Sequence, residues 1–417
     1  MSSLTLDTIQ RAKGATVSRG NERFFPVLCG FLVVQSLFTF IYHLTNSTAF
    51  YAVSNSIAIT LIGYALITIL RSGRDSSAST AFLVVSATAI FLSVLANIGH
   101  TSMSDVLKYF SLYIFYAAGC RNKTPIRPIE LYCLYTLAAL PIAFMAFGTS
   151  RIWEPQDDPF GYLPNANIAV LHFSALLFAA SPVFGNRVIF LQLLNAAFMN
   201  KIGAIVATVI SICMWATVPL RRESVLSAAA IVTPVIIIGI VAYQLGAFNR
   251  AITAFDGLVF VLNIDPRSVV SMSYQKLVLL TGSTDLSGFF RLIHWTNIWD
   301  IYSNGSIGTL IFGYGPGETP ALTYAEMVPH NDYLRILVEY GPINLAIFVC
   351  FLIYIRGALK TPPARVLFVV LCIYFFSENL LDSFTSMTLF FAYAGRMTAF
   401  GAMASAEQTL KLTGSRT

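Results

Sequence analysis

The chain has 417 residues, of which 56% are hydrophobic and only 11% charged, where a soluble domain carries roughly 25% charged residues. That balance excludes a water-soluble globular body, and apolar runs recur from Phe24 almost to the last residues, leaving no room for a separate soluble domain. The formal charge of +6 comes from Lys and Arg spread among short connections, which argues for membrane topology and against a nucleic-acid partner.

Residues 1–23 hold Arg11, Lys13, Arg19 and Arg23 without the apolar core and cleavage site of a secretory signal, so a retained cytoplasmic tail is expected. Apolar segments follow at 24–44, 49–70, 80–98, 105–120, 131–148, 165–181, 188–199, 202–220 and 224–245, giving nine spans within 24–245. Three more, at 342–355, 365–377 and 384–403, occupy 342–403 ahead of a second cytoplasmic tail at 404–417. An unpaired backbone group in lipid costs several kcal/mol, so these segments are expected to be helices. The predicted fold class is an all-α polytopic membrane protein with about twelve transmembrane helices. The segment 188–199 is short, spanning only ~18 Å, and it ends at Asn200 and Lys201 before the next apolar run. A broken or re-entrant pair of helices is tolerated at membrane depth only where protein or a water-filled cavity surrounds it, which points to a site near Lys201.

The cations predict orientation. Those of the N-terminal tail, Arg71/Arg74, Arg121/Lys123/Arg127, Arg187, Arg221/Arg222, Arg356/Lys360/Arg365 and Lys411/Arg416 fall in every second connection, which should be cytoplasmic. The alternate connections are poor in cations, and the one at 150–164 carries Glu154, Asp157 and Asp158 instead. By that alternation both termini are cytoplasmic, and residues 246–341 form a large outward loop between spans nine and ten. The expected location is a bacterial inner membrane, with the loop in the periplasm. The six cysteines lie in or beside apolar spans without metal-ligand spacing, as buried reduced packing residues would.

Connections in compact domains have a median of about 4–6 residues, so a loop of roughly 90 needs a function. Its stretches 271–280 and 288–302 are amphipathic, predicting helices that lie on the bundle. In the second stretch Arg291, Trp295 and Trp299 recur at helical spacing, with His294 on the neighbouring face. Arg291 could face a ligand over an aromatic floor, or the tryptophans could simply mark the headgroup belt. The run Phe312-Gly313-Tyr314-Gly315-Pro316-Gly317-Glu318 lacks the Lys-Ser/Thr of a nucleotide loop. It predicts a backbone bend at Gly315 and Gly317 that admits close approach of a ligand, or else a plain sharp turn. The run from Pro329 through His330, Asn331 and Asp332 to Arg335 opens a helix expected to end at Tyr340-Gly341, before Pro342 starts the tenth span. His330 at its N-terminus is a candidate general base, with a structural histidine as the alternative.

These residues together resemble the O-antigen ligase and Wzy-type O-antigen and exopolysaccharide polymerase family. The likeness rests on Phe-Met-Asn-Lys-Ile-Gly-Ala at 198–204, Arg291 ahead of Trp295, Phe-Gly-Tyr-Gly-Pro-Gly at 312–317, and His-Asn-Asp-Tyr-Leu at 330–334 followed by Glu339 and Gly341. The order of spans adds to it. The resemblance implies transfer of a glycan from an undecaprenyl-diphosphate carrier to an acceptor sugar outside the inner membrane. It implies His330 as the base and Arg291 as the cation at the donor diphosphate, with Lys201, Asn331, Arg335, Gly315, Gly317, Trp295 and Glu339 as substrate-binding residues. Lys201 stands where the family often has Arg, which keeps the charge but not the bidentate fork. Asn344 replaces a small residue that usually follows the motif.

A lipid diphosphate is already a good leaving group, so cations and one base complete the chemistry. No cofactor is expected; a divalent metal remains open, with Glu154, Asp157 and Asp158 its only acidic cluster. Trp153, Phe160 and Tyr162 beside that cluster could stack on sugars. Asp105 and Lys108, one turn apart, should neutralise each other, and Glu378 and Asp382 fall in the outer headgroup region, where a glycan-facing role is open. The implied partners are the lipid-linked donor, a glycan or lipid A-core acceptor, membrane lipid, and the chain-length regulator and flippase of the same pathway. Polymerase and ligase share one constellation, and polymerase is the first expectation. A transporter would place ionisable residues inside spans, at about 2.5–3.5 kcal/mol each, and would show repeated halves; such residues are scarce here, no repeat is visible, and the large outward loop counts against it.

Overall fold

A computed structural model describes residues 23–72, 77–148, 150–152, 159–199, 201–216, 244, 272–281, 287–323 and 326–414. Among these residues the chain is helical, with no strand beyond an isolated bridge between Phe160 and Leu163. The helices are α1 (Phe24–Thr45), α2 (Thr48–Arg71), α3 (Ser77–Ala96), α4 (Met103–Cys120), α5 (Pro128–Met145), α6 (Ala166–Phe184), α7 (Arg187–Phe198) and α8 (Ile202–Ala216). The later part of the chain adds α9 (Tyr274–Thr281), α10 (Ser287–Ser303), α11 (Ile307–Phe312), α12 (Thr319–Leu322), α13 (Asp332–Tyr340), α14 (Pro342–Ala358), α15 (Pro362–Tyr374) and α16 (Phe384–Gly414). A helix therefore stands at every predicted span except the ninth, 224–245, which apart from Gln244 lies outside the described residues, as do the N-terminal tail before Arg23 and the acidic cluster at 154–158. The last helix continues through the predicted C-terminal tail as far as Gly414.

Among the described residues, five helices are long and apolar enough to cross a membrane: α1, α2, α3 from Ala78, α5 and α6. Helices α7, α8, α14 and α15 are apolar but shorter. Packing follows the logic of lipid as solvent. Large apolar side chains point away from the bundle, with Phe91 62%, Ile59 60% and Ile353 66% exposed, a surface that water would not tolerate but hydrocarbon matches. Polar side chains such as Ser86, Ser93, His172 and Gln192 turn inward, and Ser174 donates to Gln192 Oε1 at 2.8 Å.

Helices α4 and α16 form the centre. Every residue of α4 from Ser111 to Cys120 is buried, and so are residues 386–396 of α16. Two glycines make this crossing close. A Cβ on Gly119 would stand 2.0 Å from the Ala392 carbonyl oxygen, and one on Gly395 2.1 Å from that of Tyr116. Lipid offers little hydrophobic drive between helices, so backbone approach of this kind supplies the packing energy.

The two ends of the bundle differ in chemistry. At one, Arg396 Nη1 meets Glu130 Oε2 at 2.6 Å while its Nε and Nη2 donate to the Thr124 carbonyl. The guanidinium lies 4.2 Å above the Phe25 ring, and Arg121 Nη2 donates to Thr80 Oγ1 nearby at 2.8 Å. At the opposite end the connections knit together: Arg151 N–H donates to the His43 carbonyl, Ser102 N–H to Pro316, and Asp332 N–H to Phe375. Replacing Gly395 with Ala is expected to cost about 1–3 kcal/mol by overpacking; a melting temperature equal to wild type in detergent would show that the α4/α16 crossing can relax.

Candidate functional site

The end formed by these connections holds the residues that the sequence singles out. Asn331 caps α13, its Oδ1 accepting the Leu334 N–H at 3.0 Å, as an N-cap amide does. His330 precedes the cap with φ of +49°, a left-handed conformation that a non-glycine residue adopts seldom and where surrounding contacts hold it. Helix α10 supplies those contacts. His294 Nε2 donates to the Met327 carbonyl at 3.1 Å, and Trp295 Nε1 donates to the Pro329 carbonyl. Trp295 therefore fixes the backbone of the motif from behind, and its ring meets Phe376 edge-on at 5.3 Å. Burial pushes the His294 imidazole below its usual range.

The connection between α15 and α16 is stitched to the same helix start. Asp332 is fully buried, and its Oδ2 accepts the N–H groups of Leu380 at 2.6 Å and Leu381 at 3.2 Å. Burial raises its carboxyl well above the ordinary carboxylate range, against the opposing pull of Arg335.

That stitching delivers Glu378 between the two residues expected to do chemistry. Glu378 Oε1 accepts from Arg291 Nη2 at 2.8 Å and from Asn167 Nδ2, at the start of α6, at 2.6 Å. Its Oε2 stands 3.8 Å from His330 Nδ1, and Asn379 Nδ2 donates to the same ring nitrogen at 3.3 Å. The carboxylate lies at the back with its side chain 5% exposed, whereas Arg291 and His330 stand in front at 29% and 32%. The start of α8 flanks them: a Cβ on Gly203 would lie 3.8 Å from Ser377 Oγ, next to Glu378, and Lys201 is two residues before it, half-buried.

Arg335, Glu339, Gly315 and Gly317 gather around a second cluster, buried at Arg335 and Glu339 and open at Lys108 and Asp382. Arg335, with its side chain 4% exposed, meets three carboxylates: Glu339 Oε1 at 3.2 Å, Asp382 Oδ2 at 2.8 Å and Asp105 Oδ1 at 2.9 Å. Lys108 bridges Asp105 at 3.2 Å and Asp382 at 2.7 Å, so the predicted Asp105–Lys108 pair exists inside a larger network. Burial works against Arg335 as an ion, yet the carboxylates around it, Glu339 first and then Asp382, hold the guanidinium above its usual range, and Arg335 with Lys108 holds the Asp382 carboxyl below its own. Burial raises Glu339, whose Oε1 also accepts from Thr319 Oγ1 at 2.5 Å.

The glycine turn seats on this cluster. Gly315 (φ +114°) and Gly317 (φ +83°) have backbones closed to other residues, and a Cβ would lie 2.0 Å from the His100 carbonyl oxygen at the first and 2.7 Å from Asp105 Oδ2 at the second. The close approach that the glycines permit here is that of the chain's own 97–105 segment. Asn344 Nδ2 donates to the carbonyls of Tyr340 and Ala89 at 2.9 and 3.2 Å, tying α14 to α3.

The structure thus brings His330, Arg291, Asn331 and Trp295 together, sets the start of α8 beside them, and places Arg335, Glu339, Gly315 and Gly317 in the support beneath. Glu378 and Asn167 are the members that motif reading passed over as partners. Glu378 carried one signal, an acidic residue between two apolar spans; Asn167 carried none. No group of three or more His, Cys, Asp or Glu among the described residues is arranged to hold a metal.

Comparison with known protein families finds no family model that matches this chain, and comparison with curated proteins finds no matching relative.

The raised carboxyl of Asp332 sets a pH dependence. A carboxyl whose folded value lies above its unfolded one contributes stability below the unfolded value and loses that contribution as pH rises through the folded one. In Asp332→Asn the amide oxygen can still accept from Leu380 and Leu381, so the variant's melting temperature relative to wild type is expected to climb as pH rises above the ordinary carboxylate range. A difference that stays constant from pH 4 to 8 would contradict this.

Proposed function

We propose that this chain is a multi-pass glycosyltransferase of the bacterial inner membrane, with about twelve crossings, that polymerises undecaprenyl-diphosphate-linked oligosaccharide repeat units at its outward, periplasmic end. The reading is carried by one observation: Arg291 and His330 converge on Glu378, at the end of the bundle away from the Arg121 and Arg396 contacts. The cation-poor connections of the sequence belong to that end, as outward connections should.

In this reading His330 takes the proton of an acceptor sugar hydroxyl, and the acceptor oxygen attacks the anomeric carbon of the donor with inversion. The bond from that carbon to the lipid diphosphate breaks, and its electron pair leaves on a phosphate oxygen. Arg291 neutralises the charge that grows there, and Lys201 adds a second cation from the start of α8. Charge stabilisation and base catalysis suffice because the leaving group needs no proton. Asn331 and Trp295 keep the histidine in place through the cap and the Pro329 carbonyl. Arg335, Glu339, Gly315 and Gly317 act from the supporting cluster.

His330→Ala is expected to lower glycan transfer by about 10²–10⁴-fold in membranes where the variant is inserted and stable; normal polymer from that variant would refute the assignment. Arg291→Lys should raise the KM for lipid-linked donor more than Lys201→Arg does, and equal effects would overturn that ranking. In cells lacking the gene, single repeat units on the outer-leaflet lipid are expected. Long chains on the lipid together with bare lipid A-core would identify a ligase, and units trapped on the inner leaflet a flippase.

A further inference from the structure

The contacts of Glu378 bear on how the site becomes active. An amide N–H can only donate, so the Asn379–His330 hydrogen bond makes Nδ1 the accepting nitrogen. A neutral ring then carries its proton on Nε2, which leaves no lone pair there to receive one. The carboxylate that could reverse this arrangement is nearby but engaged: Glu378 Oε1 is held by Arg291 and Asn167, and the 3.8 Å from Oε2 to His330 Nδ1 is beyond hydrogen-bond reach.

Resting on the reading above, we infer that Glu378 is a positioning residue that couples donor binding to the base: lipid diphosphate takes Arg291 from it, and the released carboxylate moves onto His330 Nδ1. Phosphate oxygens compete with Glu378 for the same guanidinium and bring more charge to it. Arg291 has room to turn toward them, since its side chain is 29% exposed while that of Glu378 is 5%. The Asn167 hydrogen bond to Oε1 keeps the carboxylate in place as a pivot. An advance of about 1 Å closes the gap to a charge-assisted hydrogen bond.

The proton count balances. One proton enters at Nδ1 and one leaves Nε2 through solvent, so the ring stays neutral with its Nε2 lone pair uncovered. In the transfer step the acceptor hydroxyl proton passes to Nε2, the oxygen–carbon bond forms, and the bond to the diphosphate breaks with its electron pair. The imidazolium so formed faces the Glu378 carboxylate, as an oriented base requires.

The test is nitrogen-15 NMR on the full chain in nanodiscs, with labelled histidine and His330→Gln to assign the resonance. Undecaprenyl diphosphate is expected to move the His330 ring from the Nε2–H to the Nδ1–H tautomer. In Glu378→Gln the side-chain amide donates to Nδ1 and holds the first tautomer. That variant should bind the lipid, show no tautomer change, and lose about 100-fold in turnover without a higher donor KM. Wild-type protein that binds the lipid with its ring unchanged, or a Glu378→Gln variant that switches like wild type, overturns the coupling and leaves the glycosyltransferase reading in place. Wild-type protein that does not bind the lipid overturns both.

Discussion

The buried carboxyl group of Asp332 is the contact on which this site depends. It accepts two backbone N–H groups from the connection between the last two helices, while its own N–H donates to Phe375 in that connection. An exchange of backbone and side-chain hydrogen bonds of this kind fixes position as well as distance, because every donor has one place to go. It sets the residues just before and after it in space: His330 two positions upstream, Glu378 two positions ahead of Leu380. The geometry between the His330 imidazole and the Glu378 carboxylate is therefore inherited from a joint that lies behind both.

Beneath that joint lies an unusual concentration of charge. Arg335 and Lys108 sit among Asp105, Asp382 and Glu339, a network that must offset heavy desolvation and adds little net stability against an apolar alternative. Its value is specificity. The start of α4, helix α13 and the last connection share one register that apolar side chains could approximate but not fix. The glycine turn then closes over this network, and its glycines serve the fit of one segment on another.

Much of the architecture was legible in the sequence, because hydropathy and helical spacing are local quantities. The predicted spans 24–44 and 49–70 match α1 and α2 to within a residue at each end, and the amphipathic stretch 288–302 is helix α10. Gly341 and Pro342 mark the break between α13 and α14 as turn chemistry requires. What stayed hidden was pairing. Arg335 bonds to Asp105 across 230 positions and Arg291 to Glu378 across 87, and no pattern along the chain records which charges meet. Trp295 shows the same limit: its spacing placed it on the face of Arg291, but only the structure shows its indole N–H bound to the Pro329 carbonyl.

The split origin of the site bears on how the protein is made. Asn167 comes from the sixth helix, Arg291 from α10, His330 from the residues just before α13, and Glu378 from the last connection, so a chain threading into the bilayer from its N-terminus holds only fragments of the constellation until α16 docks against α4. Docking of the final helix is thus the event that completes this cluster, and a nascent chain arrested before that point holds none of its cross-chain pairs with Glu378 in place.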